Sequence, residues 1–312
     1  MYYPDQPETS FLYKDENPFN LELARVKKST ILANKDWGNP VEFYREGGVV
    51  KWKKSDKPIY MDFPYKGGYH DAPFVMYVDR AYLSPTMFSY VAGWDGYKID
   101  EMTNSSSMMT LYIVCMIGHV EQIVGSIATR PRDIFDAYEQ CKLALEYYNA
   151  FCLCEREDMA GFKKHMKTFP SADHLLSREI KLDKTNRSLK YQDQFANYGQ
   201  PANISQSKNY LRGLSKEHAE KNFEEVNVDG QHLGYVKGIS TIPDPMLLEE
   251  YIKYKPGLNT DRKEAFQHAL LLAECVRMEN IMPQNDTYDN GYKKDSTPMK
   301  RNIGKSQWKR NG

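Results

Sequence analysis

One apolar run, Ala150 to Cys154, constrains the fold more than any other stretch of this chain. Its residues are apolar on both faces of a strand, a pattern typical of a strand buried between two layers. The preceding segment, Thr129 to Asn149, has apolar residues at helical spacing and Pro131 near its start, so it predicts a helix. A helix that leads directly into a buried strand usually connects two parallel strands. We therefore expect an α/β fold.

Three apolar segments upstream supply the rest of the predicted sheet. They are Ser89 to Trp94, Met108 to Ile117 and Val120 to Ala128, and the connections between them are polar or contain glycine. Three such segments in succession predict an antiparallel meander. If the first of them pairs in parallel with the buried strand, the result is a mixed central sheet flanked by helices.

The chain is expected to form one large domain with an extension at each end. Residues 1–75 are rich in proline, tyrosine and charge, and we interpret them as an extended arm. Residues 76–282 form the predicted domain, and residues 283–312 form a basic tail that we expect to be disordered. Further predicted elements are strands at Gly48 to Lys53, Pro58 to Phe63 and Val236 to Ile242, and helices at Asn20 to Leu32, Asp158 to Phe169, Ser205 to Leu214, Ser215 to Phe223, Met246 to Tyr254 and Asp261 to Met278.

Charge and hydropathy limit the partners of the chain. Lys plus Arg and Asp plus Glu number 42 each, so the whole molecule has no net field that would attract nucleic acid or a membrane. The longest apolar run, near Leu111 to Ile117, is far shorter than the roughly 20 residues that span a bilayer. The first residues lack a secretory signal pattern. These observations predict a cytosolic protein without a membrane partner.

Three acidic residues lie where predicted elements end or begin. Asp95 follows the first strand of the meander, Glu155 follows the buried strand, and Asp261 opens the last helix. Because parallel neighbours end at the same edge of a sheet, Asp95 and Glu155 are expected to lie close together. Carboxylates on rigid supports are the ligands that hard divalent cations prefer. We predict that these three acids bind metal, and the second-tier candidates are Asp100, Asp158, Glu264 and His268.

Each of these acids also has a purely structural interpretation. Asp95 precedes Gly96 and could be a turn residue. Glu155 lies in a charged stretch and could be a solvated surface group. Asp261 with Glu264 fits a helix-capping pattern, which is worth about 1 kcal/mol.

The order of these segments resembles the carboxy-terminal nuclease domain of bacteriophage large terminases, which has an RNase H-like fold. The resemblance spans about residues 85–278. It implies that Asp95, Glu155 and Asp261 are the catalytic residues and that they hold Mg2+ or Mn2+, as two ions. The matching stretches are Tyr-Val-Ala-Gly-Trp-Asp-Gly-Tyr at 90–97, the helix and strand at 145–161, Pro-Asp-Pro-Met-Leu-Leu-Glu-Glu-Tyr at 243–251, and Asn-Thr-Asp-Arg-Lys-Glu-Ala-Phe-Gln-His-Ala-Leu at 259–270.

The resemblance also implies a substrate and partners. The substrate would be double-stranded DNA, cut from phage concatemers in the host cytoplasm during genome packaging. An ATPase motor domain, a portal and a small terminase would be partners in the packaging machine. The chain has no G-x-x-x-x-G-K-[ST] loop, so we expect it to be the nuclease part alone, with residues 1–75 adjoining the motor. Basic residues expected to contact DNA phosphates are Arg178, Lys181, Lys184, Arg187 and Lys190.

The chain departs from the family pattern at two positions. Glu157 stands where the family often has Asn, and Arg262 follows Asp261 where many members have a second acid. Two alternative functions remain open. One is another RNase H-like nuclease, of the resolvase or transposase type, and the other is a non-enzymatic phage or host interaction protein whose acids form turns and caps.

Overall fold

The computed structural model describes residues 17–34, 38–80, 90–97, 107–117, 120–182, 189–191, 197–201, 205–228, 231–255 and 258–279. These residues form an α/β fold with a mixed seven-stranded sheet and two small hairpins. The strands are β1 (Asn39–Glu46), β2 (Val49–Lys54), β3 (Phe74–Met76), β4 (Tyr90–Asp95), β5 (Met109–Ile117), β6 (Val120–Thr129), β7 (Phe151–Cys154), β8 (Ile180–Leu182), β9 (Leu189–Tyr191), β10 (Asn222–Val228) and β11 (Gln231–Lys237). The helices are α1 (Leu21–Ala33), α2 (Ile134–Tyr148), α3 (Ala160–Met166), α4 (Ser205–Glu220), α5 (Gly238–Thr241), α6 (Pro245–Ile252) and α7 (Asp261–Glu279).

The centre of the sheet confirms the predicted meander and crossover. The strand order is β2-β1-β3-β6-β5-β4-β7, in which β4, β5 and β6 are antiparallel neighbours. Helix α2 then crosses to β7, which pairs in parallel with β4. The connection between α2 and β7 consists of two residues, Asn149 and Ala150. Asn149 ends the helix by adopting the left-handed conformation (φ 50°).

Alternation along β4 separates two cores, one on each face of the sheet. Tyr90, Ala92 and Trp94 pack with α2 and α3, whereas Val91 packs with α6 and α7. Because side chains alternate along a strand, Asp95 points to the same face as Val91. On β7, Phe151 and Leu153 also contribute to the α7 core, so the next odd position, 155, lies on that face too.

The amino-terminal segment contributes directly to the sheet. Strands β1 and β2 form a hairpin, and β1 pairs with β3 at the edge opposite β7. The predicted strand at Pro58 to Phe63 was wrong, because these residues have no strand pairing. Proline at position 58 cannot donate to a ladder, and the carbonyl of Tyr60 instead accepts a hydrogen bond from Arg262 at 3.2 Å. The domain boundary at residue 75 stays a prediction.

Two further predictions differ from the structure. Ser205 to Phe223 was expected to form two helical pieces, whereas α4 runs unbroken from Ser205 to Glu220. Val236 to Ile242 was expected to be a strand, but β11 ends at Lys237 and continues as α5. Strand β10, which pairs with β11, begins at Asn222 opposite Lys237. Residues after Lys237 therefore have no β10 residue to pair with. The predicted tail lies outside the described residues, and none of the described helices has the length and apolar character that a bilayer crossing requires.

Candidate metal centre

Three carboxylates meet at the end of the parallel strand pair. Asp95, Glu155 and Glu264 each offer an oxygen, and these oxygens lie within 4.8 Å of one another. The amide of Glu155 donates to the carbonyl of Trp94 at 2.9 Å, so the β4–β7 ladder continues to the position of the acid. Asp95 is buried, while Glu155 and Glu264 are half-buried. Two rigid strands and one helix therefore hold the three acids.

Gly93 explains how α7 comes close enough to contribute its acid. A β-carbon at this position would lie 1.9 Å from the carbonyl oxygen of Ala265 and 2.4 Å from the amide nitrogen of Ala269. Only a residue without a side chain allows the helix backbone to lie directly on β4. Glu264 precedes this contact by one residue, so the close packing delivers its carboxylate to the strand end.

The three acids repel one another when all of them are ionised. Burial raises the pKa of Asp95 well above its ordinary value, and the hydrogen bond and charge of Glu155 raise it further. Burial also raises the pKa of Glu155, and the charge of Glu264 adds to this effect. A bound cation would supply the positive charge that this cluster needs.

Asp261 begins α7, as predicted, and its contacts differ from those of the triad. It is the first residue of α7, and its Oδ2 accepts a hydrogen bond from the amide of Met108 at 2.6 Å. Its carbonyl accepts a second hydrogen bond from the hydroxyl of Thr110 at 2.9 Å. Among the described residues, the triad within metal-binding distance contains Glu264 in place of Asp261. Asp261 thus ties α7 to β5, and its predicted role as a ligand stays a prediction.

Glu250 is a positioning residue that the sequence did not reveal. Its two carboxylate oxygens accept hydrogen bonds from the amides of Arg262, at 3.3 Å, and Lys263, at 2.8 Å, in the first turn of α7. These amides have no partner within the helix, so a carboxylate from α6 caps α7 across the tertiary structure. Burial raises the pKa of Glu250 to about 7. Its place among the apolar residues of the predicted helix Met246 to Tyr254 was the one sequence signal for such a role.

The residue after Asp261 takes part in a buried ion pair. Arg262 donates to Asp244 at 2.7 Å, and both side chains are almost completely buried. Its guanidinium also donates to the hydroxyl of Tyr65 at 3.0 Å. The side chain at the position where the terminase pattern often has a second acid is therefore engaged with α6 and the amino-terminal segment.

The other second-tier candidates differ in their proximity to the triad. Asp158 lies beside the end of β4, because a β-carbon on Gly96 would be 3.0 Å from its own. Its charge contributes to the raised pKa of Glu155. His268 is buried one turn beyond Glu264, and burial lowers its pKa to about 4, so it is uncharged at neutral pH. Asp100 lies outside the described residues.

The predicted DNA-contacting residues are only partly described. The guanidinium carbon of Arg178 lies 3.9 Å from the centre of the Tyr198 ring, and Lys181 is exposed in β8. Lys184 and Arg187 lie outside the described residues, and of Lys190 only the backbone, in β9, is described.

The donor set fits a hard divalent cation. Carboxylate oxygens at this density suit Mg2+ and Mn2+, whereas Zn2+ sites usually include sulfur or imidazole. A scan against protein-family models and a search of curated protein sequences both found no match to the chain. The site is therefore inferred from the geometry of the chain itself.

Proposed function

We propose that this chain is a metal-dependent DNA endonuclease with an RNase H-like core, corresponding to the nuclease domain of a phage large terminase. The observation that carries the proposal is the meeting of Asp95, Glu155 and Glu264 at the end of two parallel strands. Structural turns and caps do not require three half-buried or buried acids to face one another. Their mutual repulsion favours a role in which a cation is bound.

The strand topology supports the RNase H-like part of the proposal. The resemblance implies a meander whose first strand ends in an acid and pairs, after a helical crossover, with a buried strand that also ends in an acid. The order β6-β5-β4-β7 has this arrangement, with Asp95 and Glu155 at the two strand ends. The acid from the last helix completes the set.

Each part of the chain would then have a defined task. Asp95 and Glu155 would orient their carboxylates from hydrogen-bonded strands, and Glu264 would supply the third from α7. Two Mg2+ or Mn2+ ions, when bound, would stabilise the charge on the attacking and leaving oxygens of a phosphodiester. Asp158, beside the strand end, offers a further carboxylate. In a complete packaging machine, a motor domain, a portal and a small terminase would bring double-stranded DNA to this site.

Nicking of a supercoiled plasmid tests the function. With Mg2+ or Mn2+ the wild-type chain should nick the plasmid, and EDTA should stop the reaction. Asp95→Asn and Glu155→Gln should each reduce the rate about a hundredfold or more, because metal ligation stabilises the transition state by several kcal/mol. Glu46→Gln is the matched control, since Glu46 is exposed at the end of β1, four strands away from β4 in the sheet, and it should cleave normally.

The result has two clear alternatives. If purified wild-type protein leaves the plasmid intact with both Mg2+ and Mn2+, the chain is not an endonuclease of this kind. The non-enzymatic interpretation is then favoured. If it cuts four-way junctions much faster than linear duplexes, the resolvase type replaces the terminase type.

A further inference from the structure

Two cations lie over the ring of one tyrosine, Tyr198, near the end of β7, and a third, Lys167, follows one of them by four residues. The ammonium nitrogen of Lys163 lies 4.0 Å from the centre of the Tyr198 ring, and the guanidinium carbon of Arg178 lies 3.9 Å from it. Burial, followed by the positive charges of Lys167 and Arg178, lowers the pKa of Lys163. Like charges gathered in this way repel one another, so their closeness favours binding of an anion.

A short backbone ladder connects this cluster to the metal centre. Gln200 bridges Glu155 in parallel, and its backbone bonds to Cys154 and Arg156 are both 2.8 Å long. Arg178 forms an antiparallel bridge with Tyr198, two residues before Gln200. Strand spacing and rise then separate the backbones of Tyr198 and Glu155 by on the order of 8 Å.

Gly199 allows the ladder to pack so closely. Its φ is +74°, and a β-carbon there would lie 2.6 Å from the sulfur of Met159 and 2.9 Å from the carbonyl oxygen of Cys154. The segment that carries Tyr198 is therefore held against the end of β7 rather than free to swing away.

In the part of the chain that the structure describes, Glu179 and Asp173 lie near the cations, and both have other contacts. Glu179 pairs with the guanidinium of Arg156. Asp173 accepts a hydrogen bond from the hydroxyl of Ser171 at 2.6 Å, and its charge raises the pKa of Lys163 less than the neighbouring cations lower it. Three positive charges therefore lie close together on this surface.

We propose that Lys163, Lys167 and Arg178 bind the phosphates of the DNA strand on one side of the cleaved bond. This inference rests on the proposed endonuclease function and adds a partner surface to it. Phosphates along one strand rise 3.4 Å per nucleotide in the duplex, so the backbone separation of about 8 Å between Tyr198 and Glu155 corresponds to the length of two to three nucleotides. Contact with the Tyr198 ring holds two of the cations in place and reduces the entropy lost on binding.

Binding to a short linear DNA duplex in EDTA, over a series of salt concentrations, tests the surface. The test variant is Lys163→Gln/Lys167→Gln/Arg178→Gln. The matched control is Lys51→Gln/Lys53→Gln/Lys54→Gln, which removes three exposed lysines from β2 at the opposite edge of the sheet. Loss of three phosphate contacts should reduce the slope of log K against log salt by about 2.7 in the test variant and leave the control unchanged.

The single variant Lys167→Gln is a control in case the triple variant misfolds, because Lys167 is exposed at the end of α3 and its replacement should not disturb the fold. It should reduce the slope by about 0.9 while its thermal unfolding matches the wild type. Equal slopes for the wild type and the triple test variant would overturn the inference, as would a wild type that binds no duplex. Since binding in EDTA needs no cleavage, a chain that binds through these cations but never nicks plasmid would refute the endonuclease alone.

Discussion

At the scale of single residues, Glu264 and Asp261 lie one helical turn apart and make different contacts. Glu264 faces Asp95 and Glu155, whereas one oxygen of Asp261 is bonded to the amide of Met108. The first contact set suits cation binding, and the second suits attachment of α7 to β5. Which acid is essential can therefore be decided by comparing two conservative variants.

Glu264→Gln should reduce cation-dependent nicking about as strongly as Asp95→Asn, by a hundredfold or more, because it removes a ligand charge. Asp261→Asn retains an oxygen that can accept from Met108, so its nicking rate should fall less. Both rates are measured on supercoiled plasmid, with thermal unfolding as a check on the fold. If Asp261→Asn is inactive and Glu264→Gln cleaves normally, the third ligand is the one that the terminase resemblance implied.

At the scale of elements, the site depends on the contact between α7 and β4. Asp95 belongs to the strand and Glu264 to the helix, and the two meet because nothing separates the backbones at Gly93. Glu250 accepts hydrogen bonds from two backbone amides of the first turn of the helix, and Asp261 in that turn accepts one from the amide of Met108. A small displacement of α7 should therefore change the distance of Glu264 from Asp95 and Glu155.

Gly93→Ala should destabilise the fold and also weaken cation binding. The added methyl group would collide with backbone atoms of α7, and such overpacking typically costs about 1–3 kcal/mol. The displaced helix would carry Glu264 away from Asp95, so the increase in melting temperature caused by Mn2+ should shrink. Thermal unfolding with and without Mn2+ measures both effects.

Gly213→Ala provides the control for this experiment. Gly213 lies within α4, and a β-carbon there would meet no atom within 4 Å. It should stabilise the helix by about 0.5–1 kcal/mol and leave the Mn2+ effect unchanged. A Gly93→Ala protein that keeps the full Mn2+ response would show that the triad does not depend on this contact.

At the scale of the whole molecule, buried acids with raised pKa values set the pH dependence of stability. Asp95, Glu155, Asp261 and Glu250 all have a raised pKa, chiefly because of burial. A group whose pKa is higher in the folded state contributes stability at low pH, and this contribution is lost as the pH rises through the folded pKa. For Glu250 the loss runs from its ordinary pKa of 4.5 up to its folded pKa of about 7 and is nearly complete above that.

In EDTA, the melting temperature should fall as the pH rises from about 6.5 through the folded pKa of Glu250 at about 7. Two buried histidines, His218 and His268, do not oppose this trend, because burial lowers their pKa values to about 3 and about 4 and their stabilising effect is complete above about 6.5. Mg2+ should reduce the fall because it neutralises the negative charge of the triad. Glu250→Gln should make the melting temperature less dependent on pH. Differential scanning calorimetry measures it, and a melting temperature that rises over this range would contradict the argument.

The sequence by itself determined the central elements and the position of two acids. Periodicity is a local property, so the buried strand at 151–154, the preceding helix and the amphipathic helix from Asp261 could all be predicted before the structure was known. The handedness and direction of a helical crossover are nearly invariant, so Asp95 and Glu155 could be placed at the same sheet edge.

Only the tertiary structure decided which other groups reach that edge. Glu264 meets the strand acids because Gly93 admits the α7 backbone, and Glu250 caps α7 from a helix 11 residues earlier in the chain. The capping pattern at Asp261 looked local, yet its carboxylate bonds to Met108, far away in sequence. Such contacts depend on how closely two elements approach, and spacing along one segment carries no information about that distance.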